Sequence, residues 1–126
     1  MVNHPEILPF NIAVVHTSEF EKMTDWVDAT GQPLHVDDGP SLMAGVVIKG
    51  YRKDKKFGDI GYLIIAFPNK PTAETIAHEA FHAACDLLQN VGIHYARFDA
   101  NEIYAYTIGY IVNCINDALN KDKVWE

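Results

Sequence analysis

No stretch of this chain approaches the ~18 consecutive apolar residues that a membrane-spanning helix needs, so no membrane partner is expected. The opening residues, Met1-Val2-Asn3-His4-Pro5-Glu6, lack the basic region and apolar run of a secretory signal. The expected compartment is therefore the cytoplasm. Cysteine is scarce. Cys85 and Cys114 are too few for a disulfide framework, and both fall in segments expected to be helical, where they read as reduced core thiols. Positive charge is scarce as well. Ten Lys and Arg stand against seventeen Asp and Glu, for a net charge of −7, and no basic helix stands out. That argues against a nucleic-acid partner held through phosphate contacts, and none is expected. Internal repeats, low-complexity tracts and linkers are absent too.

What remains is a chain suited to one folded domain spanning residues 1–126. It has 126 residues, 48 % apolar and 21 % charged, enough for a real core but not for two. Ile7 to His16 becomes β-branched toward its end and reads as a first strand. Ser18 to about Ala29 carries Phe20, Met23, Trp26 and Val27 at helical spacing and is expected to be a helix, ended by Gly31 and Pro33. Leu34 to Ser41 holds Asp37-Asp38-Gly39-Pro40, a solvated turn without the further oxygen ligands of a calcium loop. Leu42–Tyr51 and Gly61–Phe67 read as two strands of an antiparallel hairpin, joined by the charged turn Arg52 to Asp59. Pro68 and Pro71 end the second strand. Thr72 is then a plausible cap for a helix running to about Val91, with Gly92 suited to its C-terminal turn. A last helix opens at Asp99 and continues to about Asn120. The fold class is α+β: a small antiparallel or mixed sheet packed on helices.

The central helix carries Thr75-Ile76-Ala77-His78-Glu79-Ala80-Phe81-His82, which contains His-Glu-x-x-His. At about 100° per residue, His78 and His82 lie about 40° apart and one turn from each other. Two imidazoles so placed can grip one zinc ion, with Glu79 beside them as general base. Ile76, Ala80, Ala83, Ala84, Leu87 and Val91 fall between about 140° and 240° from His78, a continuous apolar back. The histidines therefore point away from the expected core. The bland alternative is a pair of exposed or hydrogen-bonded histidines on an ordinary helix.

A catalytic zinc commonly has three protein ligands and one open position. Downstream lies Asp99-Ala100-Asn101-Glu102-Ile103-Tyr104-Ala105-Tyr106. With it the chain resembles the gluzincin metallopeptidases, the thermolysin-like group of zincins, in which His-Glu-x-x-His is followed by Asn-Glu-x-x-Ala/Ser-Asp. His78, Glu79 and His82 match the first motif; Asn101, Glu102 and Ala105 match the second. Asp86 also matches a thermolysin-type helix. The resemblance covers about Ile76 to Tyr110, and the short chain looks like a minimal zincin of phage or bacterial type. It implies a zincin-like fold, Zn2+ as cofactor and Glu102 as third ligand. The pattern departs at Tyr106, where the family has an Asp that orients a ligand histidine; Asp99, Asn101, Tyr106 or a backbone carbonyl would have to take that role.

Glu102 has a metal-free reading as well, since Asp99-x-x-Glu102 is a capping box. Ala105 and Gly109 lie on the face of Glu102, and such small residues suit close approach of another helix. The apolar stripe of Ile108, Ile111, Val112, Ile115 and Leu119 lies elsewhere. His94, Asp99 and Cys85 are weaker ligand candidates. His4, His16 and His35 lack local partners and read as surface or satisfied residues.

The expected activity is hydrolysis of a peptide or protein substrate. Zinc would polarise the carbonyl, and Glu79 would move the proton from water to the leaving amine. Tyr106 is the favoured oxyanion donor, with His94, Tyr95 and Tyr104 behind it. Gly61 to Phe67 is the expected edge strand for the substrate, and the basic hairpin turn reads as a solvated loop. The competing expectation is a non-catalytic, zinc-stabilised protein-binding module. A chance His-Glu-x-x-His in a metal-free fold is a third.

Overall fold

The computed structural model describes residues 2–4, 11–22, 26–28, 30–33, 44–54, 56, 58–94 and 100–121. The elements are β1 (Val2–His4), β2 (Asn11–His16), a 3-10 helix (Thr17–Lys22), β3 (Trp26–Val27), β4 (Val46–Asp54), β5 (Gly58–Phe67), α1 (Ala73–Asn90) and α2 (Asn101–Lys121). They make an α+β fold with one mixed sheet, ordered β1-β2-β5-β4-β3. The hairpin is present, with β4 antiparallel to β5 from Val46↔Ala66 to Asp54↔Gly58. The strands thus run well into the charged stretch that reads as turn. On its other side β5 pairs in parallel with β2, from Asn11↔Tyr62 to His16↔Phe67.

β5 is therefore a central strand, buried from Tyr62 to Phe67. The expectation that Gly61–Phe67 forms the substrate edge is corrected, because both of its edges are taken by β2 and β4. Its unbroken apolar run suits burial on both faces rather than one.

Side chains alternate across the sheet. Ile12, Val14, Leu63, Ile65 and Phe67 meet Ile76, Ala80, Ala83, Ala84 and Leu87 of α1 and Ile111, Cys114, Ile115 and Ala118 of α2 in the main core. The expected apolar back of α1 is buried apart from Val91, which is 52 % exposed, whereas of the stripe expected on α2 only Ile111 and Ile115 are buried, with Ile108, Val112 and Leu119 partly so. Ala13, Val15, Tyr62, Ile64 and Ala66 turn to the opposite face and cluster with Trp26.

A third cluster, of Leu88, Ala100 and Tyr104 with Cys85 and Ile93 against it, joins the end of α1 to the start of α2. Cys85 and Cys114 are both free thiols. No helix among the described residues is long and apolar enough to cross a membrane.

The Ser18–Ala29 helix is also corrected. A 3-10 helix covers Thr17–Lys22, and Trp26–Val27 is a strand. Trp26 and Val27 pair with Arg52 and Tyr51, and the Trp26 ring lies 4.5 Å from that of Tyr62. Packing of a large aromatic on the sheet outweighs a local periodicity worth only tenths of a kcal/mol per residue, on the order given by helix propensities. A third correction concerns Gly109. It is exposed, and a Cβ built there meets nothing within 4 Å, so among the described residues no helix packs against α2 at Gly109. The expectations for residues 5–10, 34–43 and 95–99, including His35, Asp37, Asp38, Tyr95 and Asp99 with its capping box, lie outside the described residues.

Candidate metal centre

α1 is held at both ends by local chemistry. Thr72 is extended (φ −77°, ψ 166°), and its Oγ1 accepts from the Thr75 N–H at 3.2 Å. Glu74 adds a carboxylate in the positive first turn. At the other end Gly92 takes φ +83°, and the Ile93 N–H donates to the Leu88 carbonyl at 2.9 Å. That closes the helix with a left-handed residue, as glycine allows.

The face of α1 turned from the core carries the two histidines. His78 Nε2 and His82 Nε2 stand 3.1 Å apart, with ring centroids at 4.7 Å. Two nitrogens at this distance either share one proton or converge on a common cation. For metal bonds of ~2.0–2.1 Å in a tetrahedron, two ligand nitrogens lie about 3.3 Å apart. The pair fits two positions of such a site.

Glu79 lies beneath. It is 6 % exposed, the only buried charged residue among those described. Its Oε1 is 3.9 Å from His78 Nε2, and its carboxylate has no hydrogen bond among the described residues. Burying a carboxylate without partners is costly, so such a group is retained more readily where it meets a cation or a reacting proton.

These residues face an open groove of about 570 Å³. One wall is the start of β4 with the residues before it, from Ala44 to Val47. The other wall is α1, where Glu74, His78, His82 and Asp86 follow one another at intervals of four, with Thr75, Glu79 and Cys85 beside them. Gly45 is buried against Glu79: a Cβ placed there would stand 3.0 Å from Glu79 Cγ. Burial, with the neighbouring Asp86 charge adding to it, holds the Cys85 thiol above its ordinary value and so in the neutral form.

The second motif is not drawn into this cluster. Among the described residues no three His, Cys, Asp or Glu side chains are grouped to hold one ion. Glu102 is exposed in the first turn of α2. That turn packs toward the end of α1, since Ala100 and Tyr104 cluster with Leu88, six residues beyond His82.

Tyr106 is 75 % exposed and forms no part of the groove. His94 is exposed after the end of α1, also outside the groove walls. Tyr104 is corrected as an oxyanion donor: it is buried, and its hydroxyl donates to the Ile93 carbonyl at 2.7 Å. His16 is satisfied locally, with Nδ1 2.7 Å from Ser18 Oγ and accepting from the Ser18 N–H.

The four-residue spacing of Glu74, His78, His82 and Asp86 is legible in the sequence, whereas the place of Gly45 against Glu79 carries no local signal. In comparisons with known proteins, no family model, no curated protein and no solved structure matches this chain.

Proposed function

We propose that the chain is a zincin-like, zinc-dependent metallopeptidase that hydrolyses peptide bonds. The observation that carries this reading is the convergence of His78 and His82 at 3.1 Å above the buried Glu79, which has no hydrogen bond to a described residue, inside an open groove. His78 and His82 would hold the ion, and the resemblance to gluzincins supplies Glu102 as third ligand. Zinc bound there supplies Lewis acidity toward a carbonyl and toward water.

The chain's own residues do the rest. His78 and His82 bind through their Nε2 lone pairs, which requires both rings in the neutral form. Glu79 Oε1, with no hydrogen bond to a described residue to give up, accepts a proton from water and returns it to the leaving amine. The wall from Ala44 to Val47 positions the substrate. The only β3 partners of β4 are at Tyr51 and Arg52, so the outer edge of Val46–Gly50 has no described strand against it. A peptide can lie there in extended form.

The test is zinc content together with hydrolysis of a peptide library. The parent chain should hold about one zinc and cleave. Glu79→Gln should keep the zinc and lose roughly 10²–10⁴-fold in rate, the range for a general base. Glu102→Ala should lose most of the zinc. Undiminished hydrolysis in Glu79→Gln, or no zinc uptake by the parent, would overturn the proposal. Zinc uptake without hydrolysis would favour the binding module.

A further inference from the structure

We infer that the groove takes cationic peptides, and that Glu74 and Asp86 select Lys or Arg on the two sides of the bond lying over the histidine pair. This rests on the proposed site and names its substrate class. Four observations lead to it. Among the described residues the groove walls carry the carboxylates of Glu74, Glu79 and Asp86 and no Lys or Arg. Glu79 is buried, has no hydrogen bond to a described residue and lines the same groove with His78 Nε2 3.9 Å away, so it adds to the negative charge of the cleft. Glu74 is exposed and Asp86 half-buried, and no ion pair or hydrogen bond to described residues occupies either carboxylate. Finally, the two are placed symmetrically. Glu74 is six residues before the midpoint of His78 and His82, and Asp86 six residues after it.

The spacing converts to a substrate length. Six helical residues rise about 9 Å. An extended peptide covers that distance in about three residues at ~3.3 Å each. A peptide running along α1, centred on the histidines, therefore brings positions within about three residues of its central bond to Glu74 at one end and Asp86 at the other. Lys and Arg have flexible apolar stems that can lie along Ala44, Val46 and Val47 while their charged ends reach the carboxylates. Glu74 also favours the helix start, but that role needs no particular place along the groove.

The test is fluorescence anisotropy with three labelled decapeptides that carry Lys, Ala or Glu three residues to each side of the central bond. They are titrated against the full-length Glu79→Gln chain, with the parent chain alongside, so that a failure of the variant to fold leaves the parent to decide. Partly exposed ion pairs each contribute roughly two- to fivefold. The Lys peptide should bind roughly four- to 25-fold tighter than the Ala peptide, and the Glu peptide most weakly. The preference should shrink as salt rises past ~0.15 M. Glu74→Gln and Asp86→Asn should each remove a two- to fivefold share. Asp117→Asn, the same charge change at an exposed site outside the groove, should leave the preference intact.

Equal binding of the Lys and Ala peptides overturns the inference. So does an equal loss in Asp117→Asn, which would trace the preference to the overall charge of −7. The two readings fail separately. Hydrolysis without charge preference removes this inference and keeps the peptidase, whereas charge preference in a chain that takes up no zinc and cleaves nothing does the reverse.

Discussion

A Cβ added at Gly45 would stand 3.0 Å from Cγ of Glu79 and 3.0 Å from Cδ1 of Phe67. Both neighbours are buried, and the atoms met are a mid-chain Cγ and a ring carbon rather than a free chain end, so room is made only by shifting packed groups. Gly45→Ala should therefore cost about 1–3 kcal/mol, the usual range for overpacking. Urea unfolding measures it, and a loss below about 0.5 kcal/mol would mean that the residues before β4 shift to make room.

Asp28 is the other residue with a local task. Its Oδ1 accepts from Thr30 Oγ1 at 2.6 Å, from the Thr30 N–H at 2.8 Å and from the Gln32 N–H at 3.1 Å. The Thr30 hydroxyl, foremost, holds the carboxyl below its ordinary value near 3.8. A depressed folded value means that the stabilising contribution is complete above the unfolded value and is lost as pH falls through the folded one. Thermal melts should thus show the parent above Asp28→Asn at pH 6, with the gap closing below about pH 4. A gap that persists at pH 2.5 would argue against the ionised carboxylate as its source.

At the scale of elements, α1 and α2 follow closely from the chain because their signals are local. Thr72 caps, Gly92 terminates, and most of the residues spaced to face inward on α1, with Ile111 and Ile115 on α2, are buried. The Phe20, Met23, Trp26 and Val27 spacing misleads, because its outcome depends on Tyr62 and on the strand at Tyr51 and Arg52, which lie far along the chain. Gly109 misleads in another way. A glycine in mid-helix invites a packing explanation, yet no described residue comes within 4 Å of a Cβ there. With no contact to lose, Gly109→Ala should stabilise the protein by about 0.5–1 kcal/mol, the helical difference between the two residues. A rise in the urea midpoint at unchanged slope checks this, and a fall would mean that the site is used for close approach after all.

For the whole molecule, the α+β class is legible because strand-like and helix-like runs segregate along the chain. Strand order is not. Nothing local tells that β2 joins β5 in parallel across 51 residues, from Ile12 to Leu63, and so moves Gly61–Phe67 from an edge to the centre. The candidate site divides along the same line. His78, Glu79 and His82 sit on one helix, where spacing alone brings them together. The relation of Glu102 to them depends on how two helices dock, which spacing does not encode.

One consequence of the way α1 sits remains. Its inward face belongs to the core and its outward face to the groove, and the two sets of side chains scarcely overlap. Distant sites that share no partners vary independently. Glu74, Thr75, His78, His82 and Asp86 are thus open to exchange by evolution, or by redesign, while the scaffold stays as it is. Glu79 is the exception. It is buried like a core residue and opens on the groove like a site residue, so through Gly45 it ties any change of chemistry here to the start of β4.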